Sequence, residues 1–217
     1  MKYLIIGMGP GIGWSLANTF GKAGFEILMI ARNAEKLNSF EKELTDRSIK
    51  AKGYAADLAN PEHFATFIHQ VAAAHPDITV VHYNASAFNP GLPFELPLET
   101  FISDVHTCIT GALASAKAFY PILQRQHKAA FFFTGGGSAL HPNAATFSLS
   151  IGKAGMRNLG LALAEACQNT SVQVGMVTVA GQVKPGSPLD PDLIAAQFES
   201  LWKKGKSEAP VEVFLEG

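Results

Sequence analysis

Charge is scarce in this chain, and none of it is massed. Only 16% of the 217 residues are charged, the formal net charge is -1, and no block of like charge occurs. A nucleic-acid or membrane-surface role therefore has no electrostatic footprint. The single basic cluster, Lys203-Lys204-Gly205-Lys206, is short enough to be a solvated turn. Cysteine is scarcer still. Cys108 and Cys167 both fall in helical stretches, and two cysteines make no disulfide framework. His82, His106 and Cys108 match no common ligand spacing, so no metal is expected. No apolar run approaches the length of a spanning helix. The first strand begins at Lys2, which leaves no room for a leader. These absences lead to the expectation of a reduced, cytoplasmic protein, with Asn84-Ala85-Ser86 and Asn169-Thr170-Ser171 as chance sequons.

Apolar residues, by contrast, are plentiful. At 47% of the chain they exclude disorder and suit one domain with a buried parallel sheet. Short runs rich in Ile, Val and Phe predict strands over 2–6, 25–31, 50–55, 78–82, 129–134, 172–179 and 211–215. Helical spacing fills the intervals near 12–23, 34–46, 61–74, 98–124, 147–168 and 191–203. Asn60-Pro61 and Asp190-Pro191 each place a capping residue before a proline at the first helical position. The alternation predicts an α/β fold: one Rossmann-like domain over residues 1–217, a doubly wound parallel sheet of about seven strands with helices on both faces. The helices near 98–124 and 147–168 carry many small residues, such as Ala112, Ala116, Gly155 and Gly160. Small residues permit close packing onto the sheet, and equally a homodimer or homotetramer interface.

The first strand runs straight into Gly7-Met8-Gly9-Pro10-Gly11-Ile12-Gly13. Gly7 allows a tight turn. Gly11 and Gly13 let backbone approach a pyrophosphate and let the helix pack on the strand. The helix N-terminus that follows, with Ile12 in its first turn, offers N–H groups and a positive dipole end to phosphate. Gly9 belongs to the same loop. The second strand ends Met29-Ile30-Ala31-Arg32-Asn33, without the acidic residue that accepts from an NAD ribose. Arg32 suits a 2′-phosphate instead. NADP(H) is therefore the expected cofactor, with NAD(H) the alternative, and a small molecule the expected substrate.

Together these segments resemble the short-chain dehydrogenase/reductase family nearly end to end. The spacing of Gly7, Gly11 and Gly13 fits that family's longer loop. Ala56-Asp57-Leu58 looks like its adenine-contacting segment, which implicates Asp57 and Leu58. Asn84-Ala85-Ser86 resembles its Asn-Ala-Gly motif, with Ser86 replacing glycine. Lys153 sits where the family's ribose-binding lysine opens a helix. Ala180-Gly181 resembles its Pro-Gly, which would turn Val183 toward the nicotinamide carboxamide. With Arg32 and Asn33, these are the expected cofactor-binding residues.

The family's catalytic Asn, Ser and Tyr do not carry over. Their positions align with Cys108, with Gly136 or Ser138, and with Leu149; only Lys153 is kept. A two-residue shift puts Phe147 in the tyrosine position, which still lacks a hydroxyl. Carbonyl reduction places negative charge on oxygen, and some group must donate to it. Leucine cannot. Ser138 and His141, in the loop after the fifth strand, are the candidate substitutes beside Lys153, and their ordinary reading is a polar loop with a solvated histidine. The backbone of Thr134-Gly135-Gly136-Gly137 could also present N–H groups to an oxyanion. Ser148 and Ser150 could simply open their helix, and Tyr83 is expected to pack beneath the nicotinamide. Two functions follow: an NADP(H)-dependent oxidoreductase with a non-standard proton donor, or a catalytically silent NADP(H)-binding sensor or scaffold.

Overall fold

The computed structural model describes all residues from Met1 to Gly217. Its strands are β1 (Lys2–Ile6), β2 (Glu26–Ala31), β3 (Ala51–Ala55), β4 (Ile78–Tyr83), β5 (Ala129–Gly136), β6 (Val172–Ala180) and β7 (Glu212–Glu216). Its helices are α1 (Ile12–Lys22), α2 (Ala34–Asp46), α3 (Pro61–Ala74), α4 (Leu98–Val105), α5 (Gly111–Leu123), α6 (Phe147–Ala166) and α7 (Pro191–Lys204). All strands pair in parallel, in the order β3-β2-β1-β4-β5-β6-β7. The order reverses between β1 and β4. A crevice opens there at the carboxyl ends of the strands, where doubly wound sheets bind ligands.

Strand alternation divides the apolar residues between two cores. In β1, Leu4 and Ile6 face a 26-residue cluster with α3, α5 and α6, while Tyr3 and Ile5 face a 23-residue cluster with α1, α2 and α7. In β5, Phe131 and Phe133 go one way and Ala130 and Phe132 the other. This two-sided burial is why the strands read as continuous apolar runs rather than alternating ones. No helix is long and apolar enough to cross a membrane.

The helix expected over 98–124 runs unbroken from Leu98 to Leu123, with α4 and α5 joined by a π-helical turn, His106–Thr110. The Tyr83 hydroxyl, rising from the sheet, donates to the Thr107 carbonyl inside that turn. A side chain on residue 111 would collide with that hydroxyl, so glycine is required there. A 3.6-residue period cannot register one inserted residue. The same contact corrects the expectation for Tyr83. It is fully buried between sheet and helix, and does not face the crevice.

Candidate active site

Two cavities lie along the crevice, of about 350 and about 1010 Å³, and they share Asn84 and Ser86 as common walls. They form one trough of a size suited to a bound small molecule. Gly7, Arg32, Asp57, Leu58, Asn84 and Ala85 line the smaller part. Gly9, Gly11, Ile12, Gly13, Ser138, His141, Lys153 and Val183 line the larger. Of the residues expected at the cofactor, only Asn33 lines neither. Its side chain accepts from Lys36 N at 2.8 Å and caps α2.

The glycine loop is shaped by close approach. Gly7 has φ +95, and a Cβ there would strike the backbone of Ala85, two residues beyond β4. Its N–H and that of Met8 both donate to Ile30 O at 2.9 Å, which folds the loop against β2. At Gly13 a Cβ would lie 3.3 Å from Met8 Cα. Gly9 and Gly11, in contrast, have nothing within 4 Å of that position, so their backbone lies open to the trough. The start of α1 is equally bare. Asn33, Asn60 and Asp190 cap α2, α3 and α7 with their side chains, but Gly11 offers α1 none, and its first turn holds no acid. An open positive helix end beside open backbone fits a phosphate group. Arg32 stands exposed on the rim, with no acidic residue at the end of β2. Asp57 is partly committed to its own turn, accepting from Ala59 N at 3.0 Å.

At the reaction end, α6 presents Leu149 and Lys153 to the larger cavity one helical turn apart. Lys153 is buried, and its ammonium donates to Thr134 O at 2.8 Å. Burial lowers its pKa from 10.5 to about 8, with nearby Cys108 opposing the shift. Its stem packs on Gly136, where a Cβ would come 3.3 Å from Lys153 Cγ. Cys108, in the π-helical turn, is fully buried; its sulfur lies 2.7 Å from where a Cβ on Gly152 would sit, and burial pushes its thiol pKa up. Cys108 is thus a buried thiol behind α6, while Gly136, Ser138 and Leu149 line the cavity.

Ser138, in a short 3-10 turn over Gly137–Ala139, and exposed His141 do border the cavity. So do Asn143 and Thr146, which sequence reading missed. A parallel bridge between Gly91 and Thr146 draws that loop to the cavity, with Gly91 N donating to Ala145 O at 2.9 Å. No local motif announces it. Ser148 and Ser150 lie in the first turn of α6 without capping it, and neither lines the cavity. Ser148 donates to Asp104 Oδ2 at 2.6 Å, and Ser150 to Thr146 O at 3.2 Å. The larger cavity carries no carboxylate among its lining residues, so Lys153 and the α1 dipole give it a positive bias.

A family model described as short chain dehydrogenase matches residues 2–186. A 1-deoxy-11-beta-hydroxypentalenate dehydrogenase of Streptomyces exfoliatus is 27% identical over 215 residues, covering 91% of this chain and 78% of that protein. The match to a Streptomyces coelicolor relative, 28% identical over 114 residues, spans 52% of this chain and only 44% of that protein. Among solved structures, a metagenomic short-chain oxidoreductase in complex with NADP superposes with a TM-score of 0.89 at 24% identity, covering 100% of this chain and 96% of that one. An alcohol dehydrogenase of the archaeon Thermococcus sibiricus, complexed with 5-hydroxy-NADP, gives 0.84 at 21% identity, covering 99% and 96%.

Proposed function

The chain belongs to the short-chain dehydrogenase family, and from that premise we propose that it is an NADP(H)-dependent oxidoreductase that acts on a small substrate with a proton donor other than tyrosine. The carrying observation is the uncapped start of α1, open at Gly9 and Gly11, with Arg32 on the rim where an NAD site would place an acid. The NADP in the metagenomic structure and the 5-hydroxy-NADP in the Thermococcus one support the same choice.

The cofactor supplies the hydride; the chain supplies position and charge. Lys153, held to Thr134 O, would hold the nicotinamide ribose and would bring positive charge to that wall of the cavity. Leu149 excludes water from that side but offers no hydrogen. Charge developing on a substrate oxygen must therefore be met by Ser138, His141 or Lys153, all of which border the cavity. An activated alkene, whose reduction can end with a proton from water, demands less of them. The exposed apolar side chains Leu113 and Tyr120 on α5 and Ile151 on α6 support self-association through these helices.

Calorimetric titration with NADPH and with NADH tests the cofactor. Binding of NADPH in clear preference supports the assignment, and binding of neither overturns it. Replacing Leu149→Tyr tests the reaction end by placing a hydroxyl one turn from Lys153, and carbonyl reduction should rise in the variant. A second reading, a silent NADP(H) sensor, is supported by the alignment read from the sequence, in which the family's Asn, Ser and Tyr fall on Cys108, on Gly136 or Ser138, and on Leu149. That reading requires association to change with NADPH while a broad substrate screen shows no turnover.

A further inference from the structure

His82 lies fully buried on β4, ringed by Phe132, Phe198 and Tyr3, and has no part in the chemistry above. Its two nitrogens are nonetheless both engaged. Nδ1 is 2.6 Å from the Tyr3 hydroxyl, and Nε2 is 2.8 Å from Thr134 Oγ1. Thr134 Oγ1 is in turn 2.8 Å from Asn84 Oδ1, and Asn84 Nδ2 is 2.8 Å from Gly7 O. Side-chain parity explains the meeting. The Tyr3, His82 and Thr134 side chains project from the same face of three neighbouring strands.

The far end fixes every proton. The Gly7 carbonyl can only accept, so Asn84 gives it the amide N–H and keeps Oδ1 for Thr134. The Thr134 hydroxyl then donates to Oδ1 and must accept through its lone pairs. Nε2 of His82 therefore carries hydrogen, and Nδ1 accepts from Tyr3. Each link permits the next, giving one directional run from Tyr3 to the glycine loop. Thr134 is also the junction to the reaction end, because its carbonyl holds Lys153. Burial keeps the imidazole neutral, with its pKa lowered to about 3.

We infer that His82 is a positioning residue for the dinucleotide: through Thr134 and Asn84 it holds the Gly7 carbonyl and so sets the shape of the phosphate-binding loop. The role presupposes that this loop holds the cofactor. Two near-isosteric replacements divide the functions of the ring. Gln at position 82 can carry an N–H to Thr134, as Nε2 does. Asn can accept from Tyr3, as Nδ1 does, but is too short to reach Thr134. Amide hydrogen exchange over Gly7–Gly13 reads the loop without cofactor, and NADPH titration reads its competence. His82→Asn should speed exchange in the loop and weaken NADPH binding about tenfold, the upper range for one net hydrogen bond. His82→Gln should stay within about twofold on both measures. Thr134→Val, which cuts the next link and keeps the carbonyl, should behave like His82→Asn and guards against a variant that fails to fold. Loop exchange unchanged in both His82→Asn and Thr134→Val overturns the role, as does equal loss in the Asn and Gln variants. If the unaltered protein binds no NADPH, the cofactor reading fails, while loop exchange still decides the role of His82.

Discussion

The two ends of the trough are built from different material. The phosphate end is made of backbone: a glycine loop, an open helix terminus, and carbonyls held by buried side chains. The other end is made largely of side chains: Ser138, His141, Leu149 and Lys153 border it. A backbone site depends on a few glycines at fixed spacing, and most changes elsewhere leave it intact. A side-chain site loses its chemistry one residue at a time while the fold persists. That asymmetry lets a fold of this kind keep its backbone site while the side chains at the other end change.

The largest expected effect breaks the backbone end. Gly7→Ala must accommodate both a left-handed φ and a Cβ against Ala85, which should cost about 2–5 kcal/mol of stability and abolish NADPH binding. Thermal unfolding measures the first and titration the second, and an unchanged melting midpoint would show that the loop yields. Next comes acid. His82 has a folded pKa lowered to about 3 against an unfolded value near 6.5, so the unfolded chain takes up the extra proton between those limits. Its contribution is intact above pH 6.5 and is lost as pH falls toward 3. Urea unfolding at pH 7 and pH 5 should differ by about 2 kcal/mol from this group, and the difference should vanish in His82→Gln.

At the reaction end the sign of a stability change should invert. Lys153 is charged at pH 7 in both states, and burial penalises the charge only in the folded one. Lys153→Met should therefore stabilise the protein by about 1–3 kcal/mol while weakening NADPH binding. By the same linkage the unaltered protein gains stability from this lysine as pH rises from about 8 toward 10.5. Chemical unfolding of the pair at pH 7 checks it, and a destabilised variant would mean that the bond to Thr134 outweighs the desolvation. A smaller effect sharpens the specificity of the phosphate end. Arg32→Ala should weaken NADPH about tenfold and leave NADH unchanged, as competitive titration would show. The smallest is Gly9→Ala, which meets nothing within 4 Å; its melting midpoint should stay put, and any loss should fall on phosphate binding alone.

Much of the phosphate end was legible in the sequence because its requirements are local. The spacing of Gly7, Gly11 and Gly13 after an apolar run states a turn, a close approach and a helix start within seven residues. Arg32 was readable for the same reason, from its place at the end of a strand. Asn33, its neighbour, belongs to the helix cap, and the two uses of an asparagine there look alike in one dimension. That Leu149 and Lys153 share a wall follows from helical spacing, but Asn143 and Thr146 reach the cavity through a bridge to Gly91, more than fifty residues away in the chain.

The sequence by itself determined the alternation of strands and helices, the parallel two-sided sheet and the glycine loop between β1 and α1, because each depends on period, composition or spacing among near neighbours. Only the tertiary structure decided the π-helical turn at His106–Thr110, the burial of Tyr83, and the run from Tyr3 through His82, Thr134 and Asn84 to Gly7. These last join residues from separate strands. A buried polar atom must find its partner wherever strand order and register bring one within reach, and neither is written in any local pattern.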